Sequence, residues 1–267
     1  MRIDRLLVTG AAGMLGGVLR RHFQGRFPHL RLSDVAPLGA AAAGEELLPC
    51  DLGDAAAVDR LFDGVDACVH LGGHSVEGDW PTVINANILG VINVWEAARK
   101  AGTKRILFAS SNHAIGFHPR SRRIDHTAPA RPDTRYGLSK AFGEDVAMYY
   151  ANKHGISALC MRIGSARAEP EDERQLATWQ SLPDFCRMVE AGLAADYVYE
   201  IVYGVSANQR SWWDNANAAR LGYHPQDDAE AWADRLTGKT SASALDETYQ
   251  GGPYCSPDFS GDPKKIV

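Results

Sequence analysis

The chain has 267 residues, 45% of them apolar and 23% charged, with a formal net charge of −5 and its Lys and Arg dispersed, so disorder and a basic stripe for nucleic acid are both excluded. No run reaches about 18 uninterrupted apolar residues and no cleavage pattern follows the N-terminus, which argues for a cytoplasmic protein without a membrane span. Five widely spaced cysteines, Cys50, Cys68, Cys160, Cys186 and Cys255, show no metal-ligand spacing and read as buried thiols, with no metal expected.

Residues 3–9 form a short Leu- and Val-rich run, followed by glycines and then by helix-compatible residues 14–24, which reads as strand, tight turn, helix. Brief apolar runs recur at 30–34, 46–49, 67–71, 105–110 and 157–163, with helical stretches between them. Two helices are long, 80–101 and 136–154, and Gly102 and Gly155 stand just past their ends as C-cap candidates. Short continuous strands alternating with helices predict an α/β fold with a doubly wound parallel sheet, the Rossmann architecture. Beyond about residue 164 the alternation loosens, the stretch 166–180 is charged and polar, and 241–267 reads as a wrapping extension. The expected organisation is therefore a nucleotide-binding core over 1–165 and a smaller substrate-binding region over 166–267, interleaved with it.

The turn VTGAAGMLGG places Gly10, Gly13 and Gly16 between the first strand and the first helix. Glycines at that spacing let the backbone approach a pyrophosphate and the helix pack closely on the sheet, and the helix N-terminus offers amides to the anion. Contacts to a dinucleotide are expected to extend over Ala12, Met14 and Leu15 in this turn. Asp34 ends the second run, 18 residues after Gly16, where a carboxylate accepts from ribose hydroxyls and repels a 2′-phosphate. With no arginine among Ala11, Ala12, Val35 and Ala36, NAD is favoured over NADP. Asp51 and Leu52 after the third run, Leu71, Gly72 and Gly73 after the fourth, and Ile163 at the end of the sixth are further cofactor candidates, because ligands of doubly wound sheets bind at strand ends.

Ser110 and Ser111 close the fifth run, where a hydroxyl can hold a reacting substrate hydroxyl. Tyr136 and Lys140 lie four apart in RYGLSK, on one face of a helix. A tyrosine with an ordinary pKa of about 10 is a poor base at neutral pH, and an ammonium one turn away favours the phenolate.

These motifs resemble the extended branch of the short-chain dehydrogenase/reductase superfamily, whose TGxxGxxG pattern is matched by Thr9, Gly10, Gly13 and Gly16. The resemblance implies that Ser111 is the catalytic serine, Tyr136 the general base, and Lys140 the residue that binds nicotinamide ribose and lowers the tyrosine pKa. It also implies that Asn87, in NANILG, steadies the helix near the lysine. Epimerases and dehydratases of that branch are departed from at Asn112-His113 and at Ser165. The combination SSNHAIGFH, RYGLSK, MRIGS and RQLATWQS is more similar to the uronate dehydrogenase group. That similarity implies NAD-dependent oxidation of D-galacturonate or D-glucuronate at C1 to the aldarolactone, with Arg174 on the carboxylate and Ser75, Asn112, His113 and Ser165 along the sugar hydroxyls. His113 has no evident carboxylate to orient it in the sequence and is expected to bind through hydrogen bonds, not to act as a base. His70 and His74 are expected in the scaffold or the pocket wall. Another sugar dehydrogenase, epimerase or dehydratase of the branch, or a non-catalytic NAD-binding regulator, are the alternatives. The family commonly assembles through its two long helices, so a homo-oligomer is expected.

Overall fold

The computed structural model describes residues 2–266. Seven parallel strands make one sheet: β1 (Arg5–Thr9), β2 (His29–Ser33), β3 (Glu45–Leu47), β4 (Ala67–His70), β5 (Arg105–Ser111), β6 (Ser157–Ile163) and, after a two-residue pair formed by β7 (Ser165–Ala166) and β8 (Trp179–Gln180), β9 (Tyr199–Gly204). Their spatial order is β3-β2-β1-β4-β5-β6-β9, so the order reverses between β1 and β4. The carboxyl ends of those two strands open the crevice in which ligands of such sheets bind.

Pleating sends alternate residues of each strand to opposite faces, and both faces are apolar. Leu6 and Val8 of β1, with Leu30, Leu32, Leu107 and Leu159, meet Leu19 and Phe23 of α1 (Met14–Phe23) and Phe185 and Val189 of a late helix. Leu7, Cys68, Ile106 and Phe108 face the other way, onto Val58 of α2 (Ala55–Leu61), Val94 and Trp95, and Ala147 and Tyr150. Trp95 belongs to a helical run that starts as α3 (Trp80–Val83), passes through a π-helical segment at Ile84–Leu89 and continues as α4 (Gly90–Ala101). Asp79 caps its start, accepting from Thr82 N at 3.0 Å, and Gly102 ends it in the left-handed conformation.

The catalytic-helix candidate is α5 (Arg135–His154), capped by Thr134, whose hydroxyl accepts from Gly137 N at 2.8 Å, and closed by Gly155 at φ 68°. It lies almost directly on β5: a methyl at Gly143 would come within 2.3 Å of the Phe108 ring. Deep in this contact Glu144 and Arg162 form a bidentate pair at 2.9 and 2.8 Å, and Ser110 donates to Glu144 at 2.6 Å. The pair therefore ties α5 to β5 and β6 within one turn of Lys140.

The expectation that the alternation fades after residue 164 is corrected by the structure. After α6 (Gln175–Thr178), α7 (Leu182–Ala194) covers the sheet and β9 extends it beside β6. β9 is an edge strand whose first three residues, Tyr199, Glu200 and Ile201, are only half-buried, which is why its apolar signal is weak. The last part of the chain folds back over the crevice: Gln250 N and Gly251 N donate to His118 O and Gly116 O, each at 2.9 Å. No helix among the described residues is long and apolar enough to cross a membrane.

Candidate active site

A cleft of about 750 Å³ runs along the carboxyl edge of the sheet, from the β1–α1 turn to the final segment of the chain. Gly10, at φ 70°, could carry no side chain, since a methyl there would sit 2.7 Å from Gly72 N; at Gly16 it would sit 2.2 Å from Gly10 O. Helix α1 starts at Gly13 without a side-chain cap, which leaves its first amides aimed into the cleft. Such a cradle fits the pyrophosphate of a dinucleotide. Asp34 lies beside it, one carboxylate oxygen accepting from Ala12 N at 3.0 Å and the other from Ala36 N at 3.0 Å. Ala12, Met14, Leu15, Leu71, Gly73 and Ile163 also line the cleft.

Asp51, Leu52 and Gly72 do not line this cleft. Asp51 is exposed and its carboxylate accepts from Gly53 N at 2.9 Å, closing a local turn before α2. Leu52 is buried beside Gly72, where a methyl would come within 2.8 Å of its Cδ1.

Ser111, at the end of β5, and Tyr136 and Lys140, on α5, come together at the centre of the cleft. Ser110 points the opposite way, to Glu144, as strand pleating requires. Burial dominates the electrostatics of both side chains. Burial pushes the Tyr136 phenol up to about 12, with the Ser111 hydroxyl pulling the other way, and burial pushes Lys140 down to about 8. Its ammonium lies 5.4 Å from the Tyr136 ring centre and 5.2 Å from that of Phe108, in a pocket where loss of hydration outweighs their attraction. Asn87 does not line the cleft. From the π-helical segment it accepts from His74 N at 2.7 Å and donates to His74 O at 2.9 Å and Ser139 Oγ at 3.0 Å, clamping the Ser75 loop to α5. His70 is a buried scaffold residue, 2.7 Å from the Thr9 hydroxyl, held down to about 3 by burial and by Lys140.

At the far end Arg174 reaches in from the segment before α6. Its Nε donates to Gln250 O at 2.8 Å and its Nη1 to Ser165 Oγ at 3.4 Å. The amide of Asn112, turned so that both ends are satisfied, accepts from Nη2 at 2.8 Å and donates to Ile163 O at 3.0 Å. No carboxylate among the described residues forms an ion pair with Arg174; Glu171 pairs with Arg167 and Asp172 binds Gln175. Burial lowers the pKa of Arg174, partly offset by the fields of Asp172 and Asp133. Ser165 lines the same end, and Ser75 lines the cleft.

His113 does have a carboxylate partner, contrary to expectation: its Nδ1 lies 2.8 Å from Asp133 Oδ2. Asp133 is 20 residues away in sequence and is carried alongside by the loop before α5, so no local spacing announces it. Three more residues escape a reading of the sequence. Glu77 accepts from Tyr136 N at 3.0 Å and pairs with Arg135 at 2.7 Å. Gln250, fully buried, holds Arg174 through its carbonyl while its side chain accepts from Trp213 at 2.8 Å. Tyr254 stacks on His113 with ring centres 4.1 Å apart. Each lies in polar, aperiodic sequence and gains its role from where the chain returns.

The sequence profile of the NAD dependent epimerase/dehydratase family matches residues 6–222. The chain belongs to this family. Within it, a uronate dehydrogenase of Pseudomonas putida is 49% identical over 255 residues, 94% of this chain and 95% of that one. Among solved structures, a mutant uronate dehydrogenase of Agrobacterium tumefaciens complexed with NAD superposes with a TM-score of 0.90 at 44% identity, covering 94% of this chain and 97% of that one. A glucuronic acid dehydrogenase of Chromohalobacter salexigens gives a TM-score of 0.91 at 46% identity, covering 99% and 100%.

Proposed function

We propose that the chain is an NAD-dependent uronate dehydrogenase, which oxidises C1 of a hexuronic acid such as D-galacturonate or D-glucuronate to the aldarolactone. The observation that carries the reading is Arg174: a guanidinium at the end of the cleft, held by a carbonyl, an amide and a hydroxyl and left without a carboxylate of its own. Such an arrangement suits a ligand that brings the negative charge, and the planar fork suits a carboxylate. The family and its uronate-oxidising relatives support the same conclusion.

When bound, the oxidised nicotinamide accepts the hydride from C1 and adds positive charge to the cleft. Tyr136 takes the proton of the C1 hydroxyl, and burial, which holds the phenol neutral, makes added positive charge necessary for its ionisation. Ser111 holds that hydroxyl beside the phenol. Lys140 binds a ribose hydroxyl of the cofactor, and Asp34 selects NAD by accepting from the adenosine ribose, where a 2′-phosphate would meet its charge. Asn112, Ser165 and Ser75 contact the sugar from the core, and the segment 166–267 adds Arg174, held by Gln250, to the substrate side of the site. Asn87 and Glu77 keep the Ser75 loop docked on α5. The exposed apolar residues Ile84, Leu89, Leu138, Met148 and Tyr149 on the two long helical runs support assembly into a homo-oligomer through that face.

The decisive experiment follows NADH absorbance with purified protein, NAD and a panel of uronates, neutral hexoses and nucleotide-sugars. Uronates should be oxidised and the parent hexoses scarcely at all. Arg174→Ala should raise KM for the uronate by about 10²-fold or more, the loss of a charge-assisted bidentate contact, with NAD affinity unchanged. Equal activity of the intact protein on the neutral hexose would overturn the reading.

A further inference from the structure

The cleft holds a second titratable pair outside the tyrosine and lysine, and its construction is unusually constrained. The Asp133 side chain is completely buried, with Oδ2 2.8 Å from His113 Nδ1. Three separate glycines surround the carboxylate, and two of them leave the space it occupies. A methyl at Gly116 or Gly251 would lie 2.0 or 1.9 Å from Oδ2, and one at Gly137 3.1 Å from Oδ1. Those glycines come from the end of the 3₁₀ turn at Asn112–Ile115, from the first turn of α5 and from the returning C-terminal segment. Oδ1 accepts from the Thr134 hydroxyl at 3.0 Å, which in turn caps α5. The imidazole is also held on its faces, by Tyr254 at 4.1 Å and by the edge-on ring of Tyr136 at 6.0 Å.

We propose that Asp133 is a positioning residue: it fixes His113 with its proton on Nδ1, so that Nε2 meets the substrate as an acceptor for one sugar hydroxyl. The inference rests on the cleft being the sugar site. A carboxylate only accepts, so the nitrogen facing it carries the hydrogen. Nε2 has no hydrogen-bond partner among the described residues, while His113 lines the cleft. An acceptor in this place discriminates by requirement, since a sugar whose hydroxyl is missing or methylated leaves Nε2 desolvated and unpaired.

The test combines side-chain nitrogen NMR of the full-length protein with kinetics. His113 is assigned by comparison with His113→Gln, and its spectrum above the ordinary histidine titration range should show a protonated Nδ1 and a bare Nε2. In Asp133→Asn, whose amide can donate to Nδ1, the proton should move to Nε2. KM for the uronate should then rise about tenfold with the NAD dissociation constant unchanged. In a His113→Gln background the same substitution should change KM less than about twofold, because nothing remains to be oriented. A bare Nδ1 or a doubly protonated ring in the unaltered protein overturns the proposal, even if Asp133→Asn fails to fold. An equal KM penalty with His113 present or absent overturns it too, since that is the mark of a purely structural carboxylate. The NMR readout needs no turnover: a protein that oxidises no uronate but shows the expected tautomer refutes the function and leaves the orientation standing.

Discussion

Lys140 carries its charge in a place from which water has been removed. Only 5% of it is exposed, no carboxylate pairs with it among the described residues, and its pKa falls from 10.5 to about 8. The folded protein therefore holds this proton less tightly than the unfolded chain does. The resulting penalty is complete below pH 8, fades as pH rises towards 10.5 and is absent above it. Lys140→Met should raise the stability of the unliganded protein at pH 7 by up to about 3 kcal/mol, at 1.36 kcal/mol per pKa unit, while abolishing most turnover. Denaturant melts of the two proteins at several pH values check this, and a gain that grows with pH would show that the shift has another origin. Arg174 shows the same conflict at the other end of the cleft, where a cation is kept without its own counter-charge. Function is stored here as local instability.

At the scale of elements, α5 decides the site. Its hydroxyl cap at Thr134, the missing side chain at Gly143 and the bidentate pair between Glu144 and Arg162 fix the height and rotation at which Tyr136 and Lys140 face Ser111. Glu144→Ala leaves the Arg162 guanidinium, 3% exposed, without its partner. The expected loss is about 3–5 kcal/mol, typical of an orphaned buried charge, read as a lower denaturation midpoint at unchanged slope. A loss below about 1 kcal/mol would mean that Arg162 finds water or another acceptor. Much of this element was legible: the YxxxK spacing, the glycine at its end and its length all stand in the sequence. The pair at its centre was not, because Glu144 and Arg162 lie 18 residues apart on a helix and a strand whose mutual register only packing determines.

For the molecule as a whole, the apolar residues exposed on α3–α4 and α5 are a whole-surface property that no single contact explains. Homo-oligomers built on that face should lose mass when it is charged. Light scattering should place the intact protein at a multiple of 29.0 kDa and Leu138→Glu/Tyr149→Glu near 29.0 kDa itself. An intact protein that runs as a monomer would refute the assembly.

What the sequence determined by itself was the part written in local periodicity: strands that end in glycine, serine or an acid, helices with caps, and hence a doubly wound sheet with a nucleotide turn at its first strand end. Gly10, Gly16, Asp34, Ser111, Tyr136 and Lys140 could be read because each occupies a fixed position relative to its own element. The tertiary structure alone decided the environment of those groups. Burial raised the pKa of Tyr136, an acid 20 residues distant became the partner of His113, and the carbonyl of Gln250 met Arg174 across 76 residues. Periodicity is a property of neighbours along the chain, whereas dielectric and hydrogen-bond satisfaction depend on which distant segments exclude water together.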